Sequence, residues 1–146
     1  MIKRFIVYGA MLSALASMTG CAVNHATATL MADADLSKVK TVYVVHSETD
    51  KHDVDKNIQA AFKKRGIEAT VGPAHPPPYD ADASVTYVDK WFWDITMYMI
   101  ELNVTVRSPA NDFPLATGNS MHTSLTRQSP EKMTDEVVGN ILTAKH

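Results

Sequence analysis

Residues 83–107 change phase partway along, and this limits what they can become. Val85, Tyr87, Trp91 and Trp93 are apolar at odd positions, whereas Tyr98, Ile100, Leu102, Val104 and Val106 are apolar at even ones. Strand side chains alternate between faces with a period of two, so one continuous strand cannot switch parity without a bulge. The run is also far longer than a typical strand of roughly five or six residues. A hairpin with an even-length turn near Asp94 and Ile95 meets both constraints, because it sets odd residues opposite even ones.

Placing Trp93 opposite Thr96 predicts the pairs Trp91 with Tyr98, Tyr87 with Leu102 and Val85 with Val104, all on one apolar face. Cross-strand aromatic and β-branched pairs of this kind contribute roughly 0.2–1 kcal/mol each. The other face then carries Thr86, Val88, Lys90 and Phe92 against Met97, Met99, Glu101, Asn103 and Thr105. It is polar at one end and apolar at the tip. Phe92, Met97 and Met99 therefore form the candidate interaction patch, since methionine-rich apolar surface adapts readily to partners.

Upstream, residues 41–45 (TVYVV) have the β-branched and aromatic composition of a buried strand. In residues 53–66, Val54, Ile58, Ala61 and Phe62 form one stripe of helical period. Asp50 or Asp53 is placed to cap its start, Lys63, Lys64 and Arg65 complement its C-terminal dipole, and Gly66 supplies a left-handed exit. Residues 67–71 suit a second short strand. A stiff loop follows, in which Pro76, Pro77 and Pro78 remove three backbone donors.

Downstream, residues 115–125 have a mixed, strand-like composition that Gly118 and Asn119 weaken. Ser129 as N-cap and Pro130 at the first helical position open a last helix, with Met133, Val137, Ile141 and Leu142 as its stripe. The predicted fold is α+β: a mixed four-stranded sheet in the order β-α-β-β-β-α, with two helices packed on one face. A chain of 146 residues suits one such domain.

The N-terminus reads as an address. Lys3 and Arg4 precede an apolar stretch over residues 5–18 that ends in small residues, the pattern of a secretory signal peptide. It is shorter than the roughly 20 apolar residues a membrane-spanning helix needs. Met18-Thr19-Gly20-Cys21 resembles the bacterial lipobox, with Met18 in place of the usual leucine. The resemblance implies cleavage between Gly20 and Cys21, with diacylglycerol on the Cys21 thiol and an acyl chain on the new amino terminus. These covalent lipids are the only added groups expected, with no cofactor.

One acyl chain anchors only marginally at about 0.8 kcal/mol per buried CH₂, so the three together would hold the chain to a membrane. Ala22, rather than aspartate, follows the cysteine. By resemblance to the enterobacterial sorting rule this favours the outer membrane, with the inner membrane as the other option. The expected organisation is a signal peptide over residues 1–20, a lipidated N-terminus and tether over 21–37, and a single domain over 38–146.

The succession of lipobox, YVDKWFWDITMYMIELNVTVRSP, ATGNSMHTSL and SPEKM resembles a family of small proteobacterial lipoproteins. The element order is also similar to that of lipopolysaccharide-assembly and penicillin-binding-protein-activator lipoproteins, which work through partners. The resemblance implies a periplasmic domain that acts by binding.

Composition narrows the chemistry. The chain has 14 basic and 16 acidic residues without a basic stripe, so nucleic acid is not an expected partner. His25, His46, His52, His75, His122 and His146 show no metal-helix spacing, and Cys21 is the single cysteine, so no metal site is expected. Ser120 and Ser124 flank His122 but make no nucleophile elbow. Asp89, Asp94 and Glu101 suit turn caps and solvated charges better than a glycosidase pair. The expected function is therefore a non-catalytic, membrane-anchored, periplasm-facing module that binds an envelope protein. The alternative is a small-molecule or lipid carrier with the aromatic hairpin as a pocket wall.

Overall fold

The computed structural model describes residues 24–145. The expected signal peptide, its cleavage site and Cys21 lie outside these residues. The described elements are β1 (Asn24–Leu30), β2 (Thr41–Val45), α1 (Val54–Lys63), β3 (Glu68–Gly72), β4 (Ala83–Asp94), β5 (Thr96–Arg107), β6 (Pro114–His122), a 3₁₀ turn (Ser124–Thr126) and α2 (Pro130–Thr143). The strands form one mixed sheet in the order β1-β6-β5-β4-β2-β3. β2 runs parallel to β3 and β4, and the other neighbours are antiparallel.

The α+β class and the two helices agree with the sequence reading, but the sheet has six strands rather than four. β6 takes most of the stretch with strand-like composition, residues 115–125, as a further antiparallel strand between β1 and β5 despite Gly118. The unforeseen strand is β1, which occupies residues read as tether. Ala26, Ala28 and Leu30 alternate there with the exposed His25, Thr27 and Thr29. Alanine is a poor strand former on its own. Here its small size lets α2 pack against the strand, and the β6 edge supplies the hydrogen bonds.

Gly118 has a matching role. A Cβ at this position would stand 2.8 Å from Ile141 Cγ1 and 3.0 Å from Val137 Cγ1. Both distances are below normal contact, so α2 sits as close as it does because residue 118 has no side chain. The glycine that weakens the strand signal is a packing requirement.

One core lies between the sheet and both helices. Val42 and Val44 of β2, Ala83, Val85 and Tyr87 of β4, and Leu102, Val104 and Val106 of β5 point into it. The α1 stripe, Val54, Ile58, Ala61 and Phe62, is buried against them, as are Met133, Val137 and Ile141 of α2. The helices are also tied to each other. Arg65 Nη1 donates to Asp135 Oδ1 at 2.7 Å and its Nη2 to the Asp135 carbonyl at 2.8 Å, across the space left by Gly139.

Both helix starts follow their sequence signals. Ser129 accepts from the Lys132 amide over Pro130. At α1 the N-cap residue Asp53 makes no side-chain cap bond, and it is Asp50 that accepts from the Asp55 amide at 3.1 Å. Asp50 also accepts from the Tyr87 hydroxyl at 2.7 Å, which joins the helix entry to β4. Gly66 takes φ 77° at the exit.

The hairpin forms, but in a different register. Tyr87 pairs with Val104 and Val85 with Val106, each two residues from expectation. Toward the tip Trp91 pairs with Met99 and Trp93 with Met97, each one residue off. Between these two registers lies a bulge: Lys90 pairs with Glu101 and Trp91 with Met99, so Ile100 has no partner. A bulge reverses the alternation on its own strand. Beyond it, Met99 shares the core face with Leu102, and Tyr98 moves to the opposite face beside Phe92.

Candidate interaction surfaces at the hairpin and the open sheet face

The candidate patch Phe92, Met97 and Met99 divides. Met99 is fully buried in the core and leaves the surface patch, because the Ile100 bulge turns it inward. Phe92 and Met97 are half exposed, at 53% and 50%. Trp93, expected in the core, is 66% exposed because it lies on the helix side of the sheet but beyond the reach of the helices. Ile95 at the turn is 86% exposed and Leu125 of the 3₁₀ turn 78%. The tip is apolar on both sides, with Trp93 and Met97 on one, Phe92 on the other and Ile95 at the apex.

Polar bonds fix the base of this tip. The Ser124 hydroxyl donates to Asp94 Oδ2, and Arg127 Nη1 donates to the Thr96 hydroxyl at 2.8 Å. The Arg127 guanidinium also lies 4.4 Å from the Tyr98 ring centroid, a cation–π contact that buries Tyr98 on the helix-free side. Leu125 is thereby held beside the hairpin. Ile95 has φ 62°, a left-handed conformation that a β-branched residue rarely adopts.

The helix-free face of the sheet is a polar ladder. Lys90 Nζ donates to Glu101 Oε2 at 2.6 Å, directly across the hairpin. Asn119 Nδ2 donates to Glu101 Oε1 at 2.9 Å and to Asn103 Oδ1 at 2.8 Å, so three strands are linked side by side. Lys90, then Asn103, holds the Glu101 carboxyl below the usual carboxylate range. Arg107 Nε donates to the Thr86 hydroxyl at 2.9 Å in the next rows. The proline loop covers only one end of this face. There Tyr43, His75 and Tyr79 stack with centroids 4.2–5.5 Å apart, and the Tyr43 hydroxyl donates to the Pro73 carbonyl.

The carboxylates have structural partners. Asp89 Oδ2 accepts from the Trp91 indole at 2.6 Å, and Trp91 stacks on His52 with centroids 3.8 Å apart. Among the described residues no group of three or more His, Cys, Asp or Glu could hold a metal ion, and no helix is long and apolar enough to cross a membrane.

One cluster was not visible in the sequence. His122, buried on β6, points Nε2 at Glu136 Oε2 at 2.9 Å and Nδ1 at the Thr126 carbonyl at 3.1 Å. The Ser120 hydroxyl donates to the same Glu136 oxygen at 2.6 Å. Both ring nitrogens therefore face oxygen atoms of neighbouring elements. Burial pushes the Glu136 carboxyl up, but the bonds from Ser120 and His122 outweigh it and hold the group below its usual range. His122 and Glu136 lie on different elements, so only the residue-two spacing of Ser120 and His122 could have hinted at it. Ser120 has no exposed surface, and the cluster joins β6 to α2 as a polar clasp.

No protein-family model matches the chain, and no curated protein matches it. Solved structures do resemble it. The PelC dodecamer from Paraburkholderia phytofirmans superposes with a TM-score of 0.60 at 12% identity, covering 85% of this chain and 100% of that one. A single-substitution form of that dodecamer in another crystal form gives 0.59 at 14% identity, covering 84% and 100%. A PDZ domain protein from Parabacteroides distasonis gives 0.51 at 10% identity, covering 93% of this chain and 40% of that one. At these identities the likeness is one of fold.

Proposed function

We propose that the chain is a lipoprotein held to a bacterial membrane through Cys21, with a periplasm-facing domain that works by binding another envelope protein. The observation that carries the binding role is the helix-free face of the six-stranded sheet. It leaves a flat polar surface across β6, β5 and β4, pre-ordered by the Lys90–Glu101–Asn119–Asn103 network. Pre-ordered surface groups reduce the entropy lost on association.

The anchor reading rests on the lipobox, and on the spacing that leaves only two residues, Ala22 and Val23, between Cys21 and the first described strand residue, Asn24. Such a short connection keeps the domain close to the bilayer. Further copies of this chain are one partner to consider, because the PelC chains of similar fold form a dodecamer. The carrier reading has less support: Trp91, the hairpin aromatic best placed to line a pocket, is packed on His52 and bonded to Asp89.

Two experiments test these readings. Cys21→Ser is expected to move the protein from the membrane fraction to the soluble one, and an unchanged membrane fraction would overturn the anchor. A photo-crosslinking residue at Asn103, in the middle of the open face, is expected to capture a discrete adduct in intact cells. If only sites outside this face yield adducts, the binding surface is misplaced.

A further inference from the structure

Five of the seven exposed large apolar residues among the described residues gather at one end of the sheet: Phe92, Trp93, Ile95, Met97 and Leu125. The same end is where β1 begins. Asn24 pairs with His122, one residue past the Glu101–Met121 pair at which β6 stops flanking the hairpin. Asn24, the described residue nearest in sequence to the anchoring cysteine of the proposed function, and the apolar tip therefore lie at the same end of the domain.

The distances are commensurate. Only Ala22 and Val23 lie between Cys21 and Asn24, and three fully extended residue steps span at most about 11 Å. From Ile100, level with Asn24, the hairpin projects about 15 Å to Ile95 at roughly 3.3 Å per residue. Even at full extension of that connection, the Cys21 backbone stands no farther out than the tip. A bilayer that holds the lipids of Cys21 is within reach of Trp93 and Ile95.

The chemistry of the tip suits that environment. Apolar side chains on both sides of a narrow ribbon fit a fluid medium that closes around them better than a single flat partner surface. Tryptophan favours the membrane–water interface, where its ring is buried and its N–H stays wet. The nearby charges are matched, since Asp94 is bonded to Ser124 and lies 3.6 Å from Arg127, whose guanidinium covers Tyr98. Ile95 holds a backbone conformation that glycine would adopt without strain. In water an exposed isoleucine returns nothing for that strain, whereas in lipid its side chain is buried.

We propose that the hairpin tip, with Leu125 beside it, is a membrane wedge that enters the acyl-chain boundary of the leaflet anchoring Cys21. This rests on the proposed lipid anchor. Interfacial insertion of this kind reaches about 5–10 Å below the headgroups. The wedge and the anchor together make two attachment points, so the domain stands on the membrane with β4 and β5 directed into it. The polar open face is then presented sideways, parallel to the bilayer normal.

The chain's two tryptophans, Trp91 and Trp93, make the test direct. Acylated mature Trp91→Phe protein, beginning at Cys21 and with Trp93 as sole tryptophan, is reconstituted into phosphatidylethanolamine–phosphatidylglycerol vesicles with brominated acyl chains. Trp93 emission is expected to shift to the blue and lose most of its intensity, while Trp91 in the Trp93→Phe protein keeps its emission. Ile95→Glu in the native tryptophan background, with unchanged circular dichroism, is expected to abolish the quenching. Unquenched Trp93 in vesicle-bound, folded protein would overturn the wedge. Failure of the anchor is read separately: if Cys21→Ser stays in the membrane fraction the anchor is wrong, and quenching of unacylated protein added to the same vesicles still decides the wedge.

Discussion

Trp91 lies directly across the hairpin from Met99, although the neighbouring residue Lys90 lies across from Glu101. The skipped residue, Ile100, is the hinge of the whole hairpin. It places Met99 in the core and leaves an apolar tip of different composition from the one that alternation alone predicts.

Met99 and Met97, two residues apart, should therefore respond oppositely to truncation. Met99→Ala removes a fully buried side chain and is expected to cost about 2–5 kcal/mol. Met97→Ala, at a half-exposed position, is expected to stay within about 1 kcal/mol. Urea denaturation of the two variants checks this, and equal losses would mean the bulge is misplaced.

Gly118 has no room for a side chain under α2. Gly118→Ala is expected to destabilise by about 1–3 kcal/mol, the usual range for overpacking. Combining it with Ile141→Val, which removes one of the crowding methyl groups, should recover part of the loss. A double-mutant cycle measured by thermal unfolding reads the coupling.

Glu136 is the shared acceptor for two buried donors. Glu136→Ala leaves Ser120 and His122 without it and is expected to cost about 1–3 kcal/mol. Glu136→Gln keeps an acceptor oxygen and should cost less. The ordering of the two variants in chemical denaturation separates loss of hydrogen bonds from loss of charge.

Asp50 links stability to pH. Partial burial raises its pKa, but bonds from the His52 amide, the Tyr87 hydroxyl and the Asp55 amide outweigh this and hold it below the usual aspartate value. The unfolded chain then binds the proton more tightly, so stability rises with pH. The contribution is fully present above the unfolded value of about 3.9, and it is lost as pH falls through the lower folded value. Asp50→Asn should be less stable than the native protein at neutral pH, and the gap should narrow as pH falls below about 4. Urea midpoints across this range test it.

Several parts of this protein were legible without tertiary context because their signals are local. The α1 stripe of Val54, Ile58, Ala61 and Phe62 repeats within one element, and Ser129-Pro130 caps α2 by itself. The core faces of β4 up to Trp91 and of β5 from Leu102 to Val106 followed from plain alternation. Cys21 was singled out by a motif of neighbours in sequence, and the lipid anchor remains a proposal drawn from that motif.

What only the tertiary structure decided depends on partners distant in the chain. Residues 24–30 carry alanines and threonines too weak to specify a strand alone, and they become one because β6 offers a free edge and α2 a surface for small residues. Glu136 joins Ser120 and His122 only because α2 crosses β6. The bulge at Ile100 has no mark in the residues around it, yet it reverses Tyr98 and Met99 and determines which side chains the tip exposes. Sequence periodicity specifies which faces are apolar within an element, whereas register and edge pairing are set by the sum of contacts between elements.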